Sequence, residues 1–177
     1  MKRIPGLFLV VIGLFLLGSS CSYSLKLSGA SIPVNMKTIR VEFFENNAQL
    51  VVNNLSTNFT EALKTRIRNT TKLAVVQGEA DAIMSGAITD YSIAPVSINA
   101  TANNVAPIAG ASRLTITIKV KYENLLEKGK KDNDSFEESF TKYQDFSGDI
   151  NTQEQTLIAA INKQLTEDIF NKAFANW

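Results

Sequence analysis

The chain has 177 residues, 45% of them hydrophobic and 20% charged, and its net charge is +1 at pH 7. These values are typical of one globular domain that can bury a core, and a near-neutral chain gives no sign of a nucleic-acid partner. One cysteine and no histidine exclude an intramolecular disulfide, a Cys/His metal cluster and a histidine-dependent catalytic triad.

The first segment of the chain has the features of a secretory signal. Residues 1–20 begin with Lys2 and Arg3, continue as an apolar run, and end in small residues at positions 18–20 before Cys21. The apolar run is shorter than the roughly 20 residues of a membrane-spanning helix. The stretch resembles a bacterial lipoprotein signal, which implies cleavage before Cys21 and lipid attached to its sulfur. The alternative is a plain secretory signal followed by an incidental cysteine.

A lipidated Cys21 would fix the domain to a membrane, since each buried methylene contributes about 0.8 kcal/mol and several chains act together. Ser22 follows the cysteine, and by resemblance to sorting signals this implies the periplasmic face of the outer membrane. We therefore predict a signal peptide at residues 1–20, a lipidated N-terminus and tether at residues 21–36, and a single domain at residues 37–177. Apart from the covalent lipid, no cofactor or metal is expected.

The first half of the predicted domain changes from a strand period to a helix period. Side chains alternate over residues 37–44, which predicts a half-buried strand. Apolar residues then recur every four positions from Leu55 to Ile67, which predicts an amphipathic helix capped by Asn53 or Asn54. A short strand is predicted at residues 72–77; its place in the sheet is left open.

The second half predicts a three-strand meander and a closing helix. The strands are predicted at residues 81–98, 113–123 and 135–146, and residues 99–112 form a long hairpin tip. The helix is predicted from residue 151, with Thr152 and Gln155 as a capping box. This order predicts an α+β fold, a two-layer sandwich with two amphipathic helices on one face of a mostly antiparallel sheet of four to five strands.

The candidate contact residues lie on the strand at residues 113–123. One face of this strand is apolar, and the other carries Arg113, Lys119 and Lys121. These cations form a candidate anion-binding edge; ordinary charges on a solvated face are the alternative. The adjacent carboxylates elsewhere in the chain do not face one another, and no glycine-rich phosphate loop or EF-hand spacing is present. We therefore predict that the protein is not an enzyme.

Several segments together resemble a known family. They are "GASIPVNMKTIRVEFFENNAQLV", "LSTNFTEALKTRI", "GAITDYSIAPVSI", "RLTITIKVKYEN", "SFEESFTKYQDF" and "LTEDIFNKAFANW". The chain is similar to the lipopolysaccharide-assembly lipoprotein family LptE, in the form found in Bacteroidetes-type bacteria. The resemblance implies an outer-membrane lipoprotein that plugs the LptD β-barrel, supports its assembly and serves delivery of lipopolysaccharide to the cell surface.

The resemblance also makes Arg113, Lys119 and Lys121 candidates for contact with lipopolysaccharide or with the barrel partner, although no family motif maps onto them. The first alternative is a generic periplasm-facing lipoprotein that binds a ligand or scaffolds another envelope complex. The second is a small hydrolase with an unrecognised serine, lysine or carboxylate site.

Overall fold

A computed structural model describes residues 32–50, 52–96, 111–127, 129 and 134–175. The predicted signal peptide, the predicted lipidation site at Cys21 and most of the predicted hairpin tip lie outside the described residues.

The sheet has six strands. They are β1 (Thr38–Val41), β2 (Glu45–Asn46), β3 (Ala74–Val76), β4 (Ala82–Val96), β5 (Ala111–Asn124) and β6 (Phe136–Phe146). The main order is β3-β1-β4-β5-β6, and β2 also pairs with β4. Residues 72–77 therefore contribute an edge strand, β3, which pairs with β1.

The sheet is mixed, so the prediction of a mostly antiparallel sheet is wrong, and the two-residue β2 adds a strand to the four to five that were predicted. β1 runs parallel to β3 and to β4, and β2 runs parallel to β4. Only the β4–β5 and β5–β6 pairs are antiparallel. The physical reason is the helix between β1 and β3, because a crossover connection allows two strands to run in the same direction. Strand β4 then takes the free side of β1, again in parallel.

The two helices are α1 (Leu55–Thr70) and α2 (Glu154–Phe174), and short 3-10 turns lie at Leu125–Glu127 and Ile150–Thr152. The predicted four-residue ladder of α1 is confirmed, since Leu55, Phe59, Leu63 and Ile67 are all buried. The buried residues of α2 include Ile158, Ile161, Leu165 and Ile169. Both helices and the inner sheet face contribute to one hydrophobic cluster, so the two-layer α+β architecture is confirmed.

The helix starts differ from the predicted caps. Asn54 occupies the N-cap position of α1 with φ 63°, and its side chain makes no capping hydrogen bond. The prediction of a capping box at the start of α2 is wrong. The helix begins after Gln153, and Thr152 lies in the preceding 3-10 turn. There the Thr152 hydroxyl donates to the Asp149 carbonyl at 2.9 Å. Asp149 instead caps that turn by accepting from the Asn151 N–H at 3.0 Å.

Asp81 joins the starts of β1 and β4. Its carboxylate accepts hydrogen bonds from the backbone N–H of Lys37 at 2.7 Å, and from the backbone N–H and hydroxyl of Thr38 at 2.9 and 3.0 Å. The two backbone hydrogen bonds are the main reason that the pKa of Asp81 lies below its usual range. The ionised carboxylate therefore stabilises the parallel pairing of the two strands.

Gly86 allows a close approach at the centre of the sheet. It lies on β4 opposite Val120 of β5. A Cβ at this position would lie 2.0 Å from the Lys119 carbonyl oxygen and 2.7 Å from the Phe44 ring. The missing side chain leaves room for Phe44, which is fully buried and packs edge-on against Phe59 with ring centroids 5.1 Å apart. The absence of a side chain at Gly86 therefore allows the Phe44–Phe59 pair to pack over β4.

Candidate functional site

The candidate cations lie on the sheet face that points away from the helices, here called the outer face. On β5, Leu114, Ile116, Ile118 and Val120 are buried against the core, and the alternate residues form the outer face. Arg113, Lys119 and Lys121 all belong to it, as predicted. Lys119 and Lys121 are consecutive outer-face positions, but Arg113 is six residues from Lys119, or about 20 Å along an extended strand. The three cations share a face without converging on one point.

Arg113 is held in a fixed position by β6. Its Nε donates to Asp145 Oδ1 at 2.7 Å and one terminal nitrogen donates to Asp145 Oδ2 at 3.0 Å. The guanidinium also lies over the Tyr143 ring, 3.8 Å from the centroid. The hydrogen bonds from Arg113 lower the pKa of Asp145 and raise the pKa of Arg113 itself. This two-point pair gives Arg113 a defined orientation.

The two lysines also have carboxylate partners. Lys119 Nζ lies 2.6 Å from Glu137 on β6, and Lys121 Nζ lies 3.1 Å from Glu123 on β5 itself. The hydrogen bond from Lys119 lowers the pKa of Glu137. Exposed pairs of this kind contribute little stability, but they balance the charge locally. The outer face therefore presents paired charges rather than a free cationic site.

Hydroxyl groups fill the middle of the outer face between these pairs. The Thr117 and Thr141 hydroxyls lie 2.9 Å apart across β5 and β6, and the Thr89 hydroxyl donates to the Thr117 carbonyl at 3.3 Å. Ser92 donates to Asp90 at 2.9 Å on β4. Short polar side chains of this kind suit contact with another protein surface.

Sequence reasoning missed the contribution of β6 to this face. The residues of β6 that alternate with the inward ones lie on the outer face, and they are Glu137, Ser139, Thr141, Tyr143 and Asp145. The sequence pattern did indicate this face, because every second residue from 137 to 145 is polar or amphipathic. The register was needed to place Glu137 beside the lysines and Asp145 opposite Arg113.

A groove between the two helices was also missed. It has a volume of about 660 Å³ and lies between α1 and α2. Its walls include Asn58, Ala62, Thr65 and Asn69 of α1, and Gln155, Ala159, Asn162 and Thr166 of α2. Both sets follow the spacing i, i+4, i+7, i+11, which places each set along one side of a helix. That repeated spacing of amides and hydroxyls was the available signal.

The described part of the chain gives no indication of a metal centre or a membrane-spanning helix. Its acidic side chains do not form a group that could hold a metal ion. Neither described helix is both long enough and apolar enough to cross a membrane. Burial, and then the hydrogen bond that Tyr91 donates to Glu154 at 2.7 Å, raise the pKa of Tyr91, so this shift has a structural cause.

These features define a small α+β domain with a packed helical side and a polar, charge-paired sheet side. Solved structures with the same architecture exist. A hypothetical protein of Chlamydia trachomatis is 11% identical, with a TM-score of 0.53 over 80% of this chain and 99% of that chain. Rare lipoprotein B of Shewanella oneidensis is 10% identical, with a TM-score of 0.53 over 76% of this chain and 92% of that chain. At these identities the likeness establishes the fold alone.

The family follows from the sequence. The sequence model described as LptE, lipopolysaccharide-assembly, matches residues 36–173. The chain belongs to this family, which confirms the resemblance. A search of curated proteins finds no match.

Proposed function

We propose that the protein is an outer-membrane lipoprotein that plugs an LptD-type β-barrel, supports its assembly and serves delivery of lipopolysaccharide to the cell surface. The match to the lipopolysaccharide-assembly family over residues 36–173 carries the proposal. Lipid on Cys21 anchors the domain at the periplasmic face of the membrane, and its role is binding and assembly rather than catalysis. A nearly neutral domain with a polar sheet face suits the water-lined interior of a large barrel.

The outer face is the proposed contact surface. Because Arg113, Lys119 and Lys121 each have a carboxylate partner, the face can be covered by a protein surface without leaving a buried charge unpaired. An anionic lipopolysaccharide headgroup would instead have to compete with Asp145, Glu137 or Glu123 for the same cations. The pairing therefore favours the barrel partner as the main contact of this face.

Recovery of the partner tests the proposal. The tagged chain, solubilised from outer membranes, should recover one dominant large β-barrel, and depletion of the protein should leave a misassembled barrel and less lipopolysaccharide at the surface. A membrane-bound protein that recovers no barrel would refute the plug role. A Cys21→Ser variant checks the anchor, because mass spectrometry should find an acylated mature N-terminus only in the parent protein.

Two matched variants separate the two contacts of the outer face. If the face packs against the barrel, Lys119→Gln and Glu137→Gln should both reduce barrel recovery, since each leaves one charge of the pair without its partner. If Lys119 binds lipopolysaccharide, only Lys119→Gln should weaken binding, and Glu137→Gln should strengthen it by freeing the cation. Binding to purified lipopolysaccharide and barrel recovery are measured for both variants.

The ligand-binding alternative predicts an aromatic pocket between helix and sheet. The groove of about 660 Å³ lies between the helices instead, and no aromatic residue is among its lining side chains. The buried inner sheet face is packed against both helices in one continuous cluster. These observations give that alternative no specific support.

A further inference from the structure

The groove between α1 and α2 is lined in a way that the proposed contact surface does not explain. Carboxamide side chains stand on both of its walls, and they are Asn58, Asn69, Gln155 and Asn162. Two alanines, Ala62 and Ala159, take the positions between them. These small residues leave space for an occupant to approach the two helices closely. The carboxamides beside them offer both hydrogen-bond donors and acceptors. This side of the domain lies opposite the outer face.

Two buried polar atoms at this groove have no hydrogen-bond partner. Among the described residues, four buried side-chain polar atoms lack a partner, and two of them are Asn162 Oδ1 and Arg66 Nε. Asn162 is only 4% exposed, and both residues line the groove. Unpaired buried groups are rare because each one costs free energy, so two in one groove require an explanation. One is an acceptor and the other is a donor.

Both side chains can turn toward an occupant. The last torsion of an asparagine has a broad energy profile, so rotation of the Asn162 carboxamide costs little. Arg66 is only loosely held, with one terminal nitrogen 3.5 Å from Glu167 and the guanidinium 5.7 Å from the centroid of the Phe170 ring. An occupant that supplies one donor and one acceptor would satisfy both orphan atoms.

We propose that this groove binds an extended segment of a partner polypeptide through its backbone. A peptide unit carries one donor and one acceptor, so it can form hydrogen bonds with a carboxamide side chain. Its N–H can donate to Asn162 Oδ1, and its carbonyl oxygen can accept from Arg66 Nε. From Gln155 to Thr166 the wall is about 17 Å long at 1.5 Å per residue, enough for about five extended residues. No lining residue is aromatic, so the groove lacks a surface on which a sugar ring would stack.

The charge of the groove specifies the segment further. Glu61 forms an ion pair with Lys64 at 2.8 Å, and Arg66 forms an ion pair with Glu167 at 3.5 Å. Lys163 lines the groove, is exposed, and has no ion pair among the described residues. The segment therefore carries an acidic side chain next to small ones that fit over Ala62 and Ala159. This assignment does not depend on which protein covers the outer face.

Site-specific photo-crosslinking in intact cells tests the proposal. A benzoylphenylalanine placed at Thr65, on the groove rim, is compared with one at Arg68, which lies on the same helix outside the groove lining. On illumination, the variant with the probe at Thr65 should crosslink to one continuous segment of a partner polypeptide, which mass spectrometry locates. The variant with the probe at Arg68 should form no such crosslink. An adduct that contains sugar or lipid instead of peptide, or equal adducts at both positions, would overturn the proposal.

Substitution of Asn162 separates binding from folding. Asn162→Leu removes the orphan acceptor and keeps the number and branching of the side-chain heavy atoms, so the melting temperature should be equal to or above that of the parent protein, while the Thr65 crosslink should fall by about tenfold or more. An unchanged crosslink, or a lower melting temperature, would show that Asn162 is structural and would refute the assignment.

A second variant keeps the test decisive if Asn162→Leu folds poorly. Ala159→Trp fills the groove from an exposed position, and Thr156→Trp places the same ring on an exposed α2 residue outside the groove lining. Only Ala159→Trp should abolish the crosslink, and equal yields from the two variants would contradict the proposal. Barrel recovery is measured in the same cells, so that failure of the groove and failure of the proposed plug role are distinguishable.

Discussion

Gly86→Ala is the sharpest test of the packing at the centre of the sheet. The added Cβ would lie 2.0 Å from the Lys119 carbonyl oxygen and 2.7 Å from a carbon of the Phe44 ring. The carbonyl is part of the β5 backbone and cannot move without disturbing the β4–β5 pairing. Insertion into a packed core costs about 1–3 kcal/mol, and a clash with backbone belongs at the upper end. We expect a loss of about 3 kcal/mol.

The assay is thermal and urea unfolding followed by circular dichroism. For a chain of this size, about 3 kcal/mol corresponds to a fall in melting temperature of about 6–12 °C. Gly78→Ala is the matched control, because a Cβ at Gly78 meets nothing within 4 Å, and its effect should stay within about 0.5 kcal/mol. In a Gly86→Ala background, Phe44→Leu should recover little, since the carbonyl contact remains. A Gly86→Ala protein that melts with the parent would refute this account of the sheet.

Three further predictions concern the hydrophobic core and the hydrogen bonds of Asp81 and Tyr91. Phe59→Ala removes a fully buried ring and should cost about 3–5 kcal/mol in chemical unfolding; a loss below about 1 kcal/mol would contradict the aromatic pair with Phe44. The lowered pKa of Asp81 gives stability that is present at neutral pH and is lost as the pH falls through and below the ordinary value of 3.8. Asp81→Asn should therefore flatten the acid side of the stability profile, and an unchanged slope would exclude this role. Tyr91→Phe removes the hydrogen bond to Glu154 and should cost about 1 kcal/mol in urea unfolding, whereas a neutral result would show that water replaces the tyrosine hydroxyl as the donor to Glu154.

The periodicity of the sequence predicts the elements well and their pairing poorly. The alternation in β5 and the four-residue ladder in α1 reflect burial, which a local pattern records directly. The parallel pairing of β1 with β4 depends on residues far apart in the chain, such as Val41 and Met84, and no local period encodes it. The two-residue strand β2 is too short to show a period at all.

The same distinction applies to the candidate surfaces. The sequence places Arg113, Lys119 and Lys121 on one face. The partners of Arg113 and Lys119, which are Asp145 and Glu137, come from another strand and could not be identified without the register. The capping box failed for a related reason, because its residue types also fit the turn that begins at Asp149. A polar stripe on each helix was readable, whereas the groove between them depends on how the helices pack.

The interior position of β1 has a consequence for how the chain is made. The first strand of the domain has neighbours on both sides, at residues 74–76 and 82–84, and both follow it in the chain. A polypeptide that leaves the ribosome or a translocation channel N-terminus first must therefore hold β1 unpaired until β3 has emerged, and one edge of β1 stays unpaired until β4 follows. During that interval the exposed edge is open to wrong pairing. The protein is most vulnerable to aggregation before synthesis reaches β4, a hazard that early binding by a chaperone would reduce.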